Sequence, residues 1–179
     1  LGELRSYKNV EWAAEFICKL NNQLAPDKSI ELRIAGKSID KSQSDFLFDL
    51  ANKNNCISLK LARLTDSELF NEFCDADFIF APYSKMLTSG ICLNSISHGR
   101  PFIAPNFLSL RELHRDTGNS FLYDNSDQLS DALLKYNDYF HRGFLHILFD
   151  PKNIVADSAN LEWPYIFEQL AGNPFASAC

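Results

Sequence analysis

The chain has 179 residues, 46% of them hydrophobic and 13% aromatic, which is enough apolar material to build one domain with a real core. Its 17 Lys+Arg against 23 Asp+Glu leave a formal charge of −6, which argues against nonspecific nucleic-acid binding, because such binding draws on a basic surface to release counterions. Seven Gly, seven Pro and a 22% charged share disfavour disorder, and no apolar run approaches the roughly 18–20 residues of a membrane span.

The chain opens at Leu1-Gly2 rather than at a Met. Gly2–Asn9 reads as a strand end and a turn leading into a first helix, predicted over Val10–Leu24 with Trp12, Phe16, Leu20 and Leu24 on one stripe. Arg5 and Lys8 are cations beside that helix start, a placement that suits a diphosphate and equally a solvated turn. Ile30–Ala35 is a β-rich run closed by Gly36, and Ser42–Asn52 is helical with Phe46, Leu47 and Leu50. A second strand follows at Ile57–Ala62. Thr65 with Glu68 three residues on forms a capping box for a helix over Asp66–Cys74, which carries Leu69, Phe70 and Phe73.

Asp77–Ala81 is a third strand, stopped by Pro82. A short helix over Gly90–His98 ends at Gly99 and Pro101. Strands at Pro101–Ala104 and Ser120–Tyr123 lead to a helix over Asp127–Phe140 with Leu129, Leu133, Leu134 and Tyr136. Leu161–Leu170 is an amphipathic candidate that tolerates Pro164 only in its first turn. Strand and helix alternate almost strictly, so the expected class is α/β, a Rossmann-like doubly wound parallel sheet. Most of the 15 Phe are expected in its core.

Ligands in such sheets bind where strand ends lead into helices. In Pro82–Gly90, a cap at Thr88 or Ser89 would leave the N–H groups of Ser89, Gly90 and Ile91 facing the crevice, a ready phosphate site to which Lys85 adds a charge. The same residues also suit an ordinary helix cap. Asn94 lies four residues after Gly90 on the same helix face, placed either to reach a sugar joined to that phosphate or simply to face solvent.

Cys18, Cys56, Cys74, Cys92 and Cys179 are odd in number and form no C-x-x-C pair, so buried thiols in a reducing cytoplasm are expected rather than disulfides or a metal site. His141 and His146 are five apart, missing the i, i+4 face of a helical metal pair. No G-x-G-x-x-G follows any strand, which disfavours a dinucleotide-dependent enzyme.

Several segments together carry a resemblance. Gly2 followed by Tyr7-Lys8-Asn9 at a helix start resembles the opening of the C-terminal domain of GT-B-fold glycosyltransferases of family 4. LRIAGK (Leu32–Lys37), the run Leu64–Tyr83, TSGICLNSISHGRPFIAP (Thr88–Pro105) and RELHRDTGNSFLYD (Arg111–Asp124) are similar to its later motifs, in the same order. The match covers roughly Gly2 to Tyr136, and Trp163 with its helix looks like the family's terminal segment.

The resemblance implies the C-terminal, donor-binding half of a GT-B fold. A nucleoside-diphosphate sugar would bind residues 1–155, followed by a helical segment over 156–179. The acceptor, a glycan or lipid-linked glycan, would be held by an N-terminal domain that lies outside this chain together with the first strand. Lys8 takes the position of the basic residue that holds the diphosphate. Arg5 lies near the family's arginine position, which Glu3 occupies here. Thr88, Ser89 and Gly90 match the diphosphate-cradling loop, Leu64 falls where backbone meets the nucleobase, and Lys85 is a candidate for the donor sugar or its loop. Glu112 matches a glutamate in the loop before the fifth strand, and suits a surface charge as well.

The family's glutamate pair is replaced by Met86 and Asn94. Asn94 retains hydrogen-bonding capacity toward ribose, whereas Met86 does not replace a carboxylate. Catalytic residues are not identified, since the acid–base groups would lie in the N-terminal domain. No metal or other cofactor is implied. The implied function is sugar transfer in polysaccharide or glycolipid biosynthesis, in the cytoplasm and with peripheral attachment to the inner membrane face. The alternative is a sugar-nucleotide-binding or assembly module without catalysis, and this chain alone is expected to transfer nothing.

Overall fold

The computed structural model describes residues 1–85, 90–117 and 120–141. They fall into two compact units. The first comprises Leu1–Glu72 and Pro82–Lys85; the second comprises Phe73–Ala81 and the described residues from Gly90 onward. The candidate helix at Leu161–Leu170 lies outside the described residues.

In the first unit, α1 (Val10–Asn21) precedes β1 (Leu32–Ala35), α2 (Lys41–Lys53), β2 (Ile57–Lys60) and the start of α3 (Asp66–Asp75). Strands β1 and β2 are parallel, with Leu32 opposite Ile57 and Ala35 opposite Lys60, and α2 is their crossover. Leu4 adds a single parallel bridge to Ser38, its N–H donating to the Lys37 carbonyl (2.8 Å). Leu4, Val10, Ala14, Ile34, Leu47 and Ile57 form one buried cluster.

The face that α1 buries differs from the predicted stripe. Val10, Ala13, Ala14, Ile17, Cys18 and Leu20 are inside, while Trp12 is 38% exposed and stacks on Phe16 (centroids 5.2 Å, planes 21° apart). Small Ala13 and Ala14 face inward, and the bulky aromatics cover each other one turn apart at the rim. The helix also stops at Asn21, short of Leu24. The Asn21 amide accounts for the stop: Nδ2 donates to the Ile17 and Ile30 carbonyls and Oδ1 accepts from the Ile30 N–H (each 2.9 Å). In α2, Asp40 caps the Ser42 N–H (2.9 Å), and Leu47 is buried, whereas Phe46 and Phe48 remain exposed.

In the second unit, β3 (Ile79–Phe80), β4 (Phe102–Pro105) and β5 (Ser120–Tyr123) form a parallel sheet in that order. The middle strand buries Phe102, Ile103 and Ala104 without alternation, as expected where both faces are covered. Helix α4 (Gly90–Ser97) packs near β4; α5 (Leu108–Thr117) and α6 (Ser126–His141) pack near β5. Gly99, at φ 66°, ends α4 in the left-handed conformation, and Ser95 Oγ donates to the Arg100 carbonyl (2.7 Å).

The α/β class with parallel strands is as expected from the sequence, and all five predicted strands are present, most of them shorter. Helix α5 is not among the expected helices, although Leu110 and Leu113 recur at helical spacing within it. Its sequence is mostly polar and its apolar residues are few: Leu110 is buried and Leu108 is 77% exposed. It is held by the Phe107 turn, where the N–H groups of Leu110 and Arg111 donate to the Phe107 carbonyl.

Candidate functional site

The opening turn is built by backbone geometry. Ser6–Lys8 is a turn of 3-10 helix, and Asn9, at φ 50°, passes the chain directly into α1. Asn tolerates this left-handed conformation better than most residues. Lys8 Nζ donates to the Leu1 carbonyl (2.9 Å), and its half-buried position pushes its pKa down through desolvation. Beyond that carbonyl the ammonium keeps donors for an anion. Arg5 is placed differently. Its Nε and Nη2 reach Glu3 Oε2 (2.8 and 2.7 Å), and Glu3 in turn is held below its ordinary pKa by that hydrogen bond and charge. Glu3 therefore engages Arg5, two residues on.

Two segments that the sequence singles out separately meet within the first unit. The Tyr7 carbonyl accepts from the Ser84 N–H (2.8 Å) and from Ser84 Oγ (3.2 Å), and the Tyr7 ring stands edge-on to Tyr83 (5.8 Å, 78°). Lys8 and Lys85 each follow directly after one of the joined residues. Lys85 is exposed. Periodicity and spacing carry no signal for this junction, because it links residues 77 positions apart. Leu64 is half-buried just before α3, next to Thr65, whose capping box with Glu68 is formed as predicted (Thr65 N–H to Glu68 Oε2, 2.8 Å; Glu68 N–H to Thr65 Oγ1, 3.3 Å).

The second unit holds Gly90, Asn94 and Glu112. Gly90 opens α4; it is exposed, and a Cβ built on it meets no described atom within 4 Å. Asn94 is exposed one turn later, its carbonyl accepting from the His98 N–H (3.0 Å). Among the described residues nothing stands against Gly90 at the start of α4, and Asn94 lies one turn further on. Glu112 is exposed, but it stands in α5 rather than in a loop before β5. Thr88, Ser89 and Met86 lie outside the described residues.

Arg100 is the middle residue of Gly99-Arg100-Pro101. It is 2% exposed, and its Nη2 donates to the Cys74 carbonyl in the last turn of α3. An arginine inside a Gly-Arg-Pro turn is the one signal the sequence offers for it. Its guanidinium ties the last turn of α3 to the turn before β4.

A family model described as glycosyl transferases group 1 matches residues 1–138. The chain belongs to the group 1 glycosyltransferases. It is 24% identical over 166 residues to the GDP-mannose:glycolipid 4-beta-D-mannosyltransferase of Xanthomonas campestris pv. campestris, covering 92% of this chain and 44% of that protein. The group 1 chain thus spans less than half the length of the curated relative it matches.

Among solved structures, the Anabaena protein HepE in complex with UDP superposes with a TM-score of 0.57 at 14% identity, covering 79% of this chain and 39% of HepE. The pneumococcal O-GlcNAc transferase GtfA in complex with UDP and GlcNAc gives 0.55 at 15%, covering 94% and 32%. Likeness at these identities concerns the fold, and it agrees with the GT-B class expected for a group 1 glycosyltransferase domain. Among the described residues, no helix is long and apolar enough to cross a membrane.

Proposed function

We propose that this chain is the donor-binding half of a glycosyltransferase, which takes a sugar from a nucleoside diphosphate and passes it to a glycan or lipid-linked acceptor. The acceptor is held by a domain outside this chain, and the whole enzyme works in polysaccharide or glycolipid synthesis on the cytoplasmic side of a membrane. The observation that carries the reading is the family match over residues 1–138, which includes Lys8 in its pinned turn.

Departure of the sugar leaves negative charge on the diphosphate, and fixed donors aimed at that charge lower the barrier. In the first unit, Lys8 offers an ammonium partly removed from water, where its charge is less screened. In the second unit, the start of α4 offers the N–H groups of its first turn and the positive end of the helix dipole, with Asn94 for hydroxyl groups. No metal or other cofactor enters this reading. The named relative uses GDP-mannose and two structural neighbours were solved with UDP, so both bases are to be tested.

A second reading, a binding module without catalysis, rests on Met86, which stands where the family carries a carboxylate. Calorimetric titration of the chain with UDP, GDP, UDP-sugars and GDP-mannose tests the first point shared by both readings. No heat with any diphosphate at millimolar ligand would sink the donor-binding reading and leave only an assembly module. Diphosphate binding, followed by sugar transfer when the chain is part of its full-length protein, separates the enzyme from the module.

A further inference from the structure

We propose that Cys18 and Cys56 are an oxidation site, which a peroxide converts into an intramolecular disulfide tying α1 to the start of β2. The two sulfurs stand 3.6 Å apart although 38 positions separate them in the chain. Cys18 lies in the last turns of α1, inside the core cluster of the first unit, and Cys56 packs against that same cluster one residue before β2. Both are thiols in this structure. A disulfide places its sulfurs about 2.05 Å apart, so the approach needed is about 1.5 Å, within reach of side-chain rotation.

Their surroundings set the order of events. Cys18 is 9% exposed, and burial, with the Cys56 hydrogen bond and charge adding to it, pushes its thiol up to about 12. Cys56 is half-buried and is the sulfur that a small oxidant reaches. Its thiolate attacks one peroxide oxygen; the O–O bond breaks, and Cys56 becomes a sulfenic acid as water departs with the thiol proton. The Cys18 sulfur then attacks the Cys56 sulfur. The S–S bond forms, the S–O bond breaks, and the hydroxyl leaves as a second water with the Cys18 proton. Both sulfurs are oxidised by one electron each, and hydrogen peroxide is reduced to two waters.

The bridge would close a loop that holds the last turn of α1, all of β1 and all of α2, and so restrict the unfolded chain. The test is to treat the full chain with one to a few equivalents of hydrogen peroxide, then digest it without reduction. The expected result is a peptide linking Cys18 to Cys56, two hydrogens lighter than its parts and released by dithiothreitol. The melting temperature of the oxidised chain should rise by about 5 °C or more. Cys18→Ser should instead accumulate Cys56 sulfenic acid, trapped by dimedone. Cys56→Ser or Cys56→Ala should leave Cys18 fully alkylatable after unfolding. Oxidation of Cys56 to sulfinic acid in the unmutated chain, with no linked peptide, would overturn the proposal. So would a Cys18 that reacts with peroxide in the absence of Cys56.

Discussion

A methyl group built on Gly36 would stand 1.7 Å from the carbonyl oxygen of Gly2. Gly36 closes β1 at φ 148°, and the chain of the opening turn runs directly over it. Only glycine permits so close an approach of two backbones. Gly36→Ala is therefore expected to destabilise the chain by about 2 kcal/mol or more, through a backbone clash added to an unfavourable φ. Gly2→Ala, whose new carbon would find its nearest neighbour, Lys8 Nζ, at 3.7 Å, should cost about 1 kcal/mol from its φ of 77° alone. Urea unfolding of the two variants checks the ranking, and equal costs would contradict it.

Arg100 binds the end of α3 from within the second unit. Its Nη2 serves the Cys74 carbonyl, one of the last-turn acceptors that a helix cannot satisfy itself, while Nε is buried without a partner among the described residues. Arg100→Ala should cost about 3 kcal/mol by removing both the donor and the packed side chain. Arg100→Met keeps the length and removes the buried charge, so about half of that loss is expected. Denaturant midpoints decide between this and a packing role alone, for which Met would restore nearly all the stability.

Glu68 carries the acid sensitivity of the α3 start. The Thr65 N–H, with Lys60 Nζ (2.9 Å) and the Thr65 hydroxyl, lowers its carboxyl from 4.5 to about 2. A carboxylate depressed in the folded state adds stability above its unfolded pKa and loses it as pH falls through the folded value. The stability gap between the native chain and Glu68→Ala should thus be full above pH 4.5 and close progressively toward pH 2. Unfolding curves across that range test it, and a gap independent of pH would exclude the ionised form as the source.

Gly90 separates binding from folding. Because a Cβ there meets no described atom, Gly90→Ala should leave stability within about 0.5 kcal/mol while weakening diphosphate binding roughly fivefold, since the methyl would occupy the space in front of the helix start. Unchanged affinity would remove Gly90 from the proposed donor site.

In the first unit, Lys8→Ala should weaken diphosphate binding about tenfold, the loss of one charge-assisted contact. Ser84→Pro, which deletes the N–H donated to Tyr7, should weaken it as well by freeing the turn that precedes Lys85. Calorimetry on each variant, with circular dichroism to verify folding, reads both effects. Binding that survives Lys8→Ala would place the diphosphate elsewhere.

Elements with a local cause are legible in the residues alone. Runs such as ISLK and FIAP are rich in residues that prefer the extended chain, and Thr65 with Glu68 closes its capping box within four residues. The segments that resemble glycosyltransferases are legible for the same reason, since each motif is a short stretch. Tertiary structure decided which face of α1 is buried, because Ala13 and Ala14 win over Trp12 and Phe16 only once a sheet must pack close to the helix. It also buried Arg100 beneath the end of α3 and joined Tyr7 to Ser84. These depend on partners far along the chain, and no periodicity or propensity encodes a distance between residues that only folding brings together.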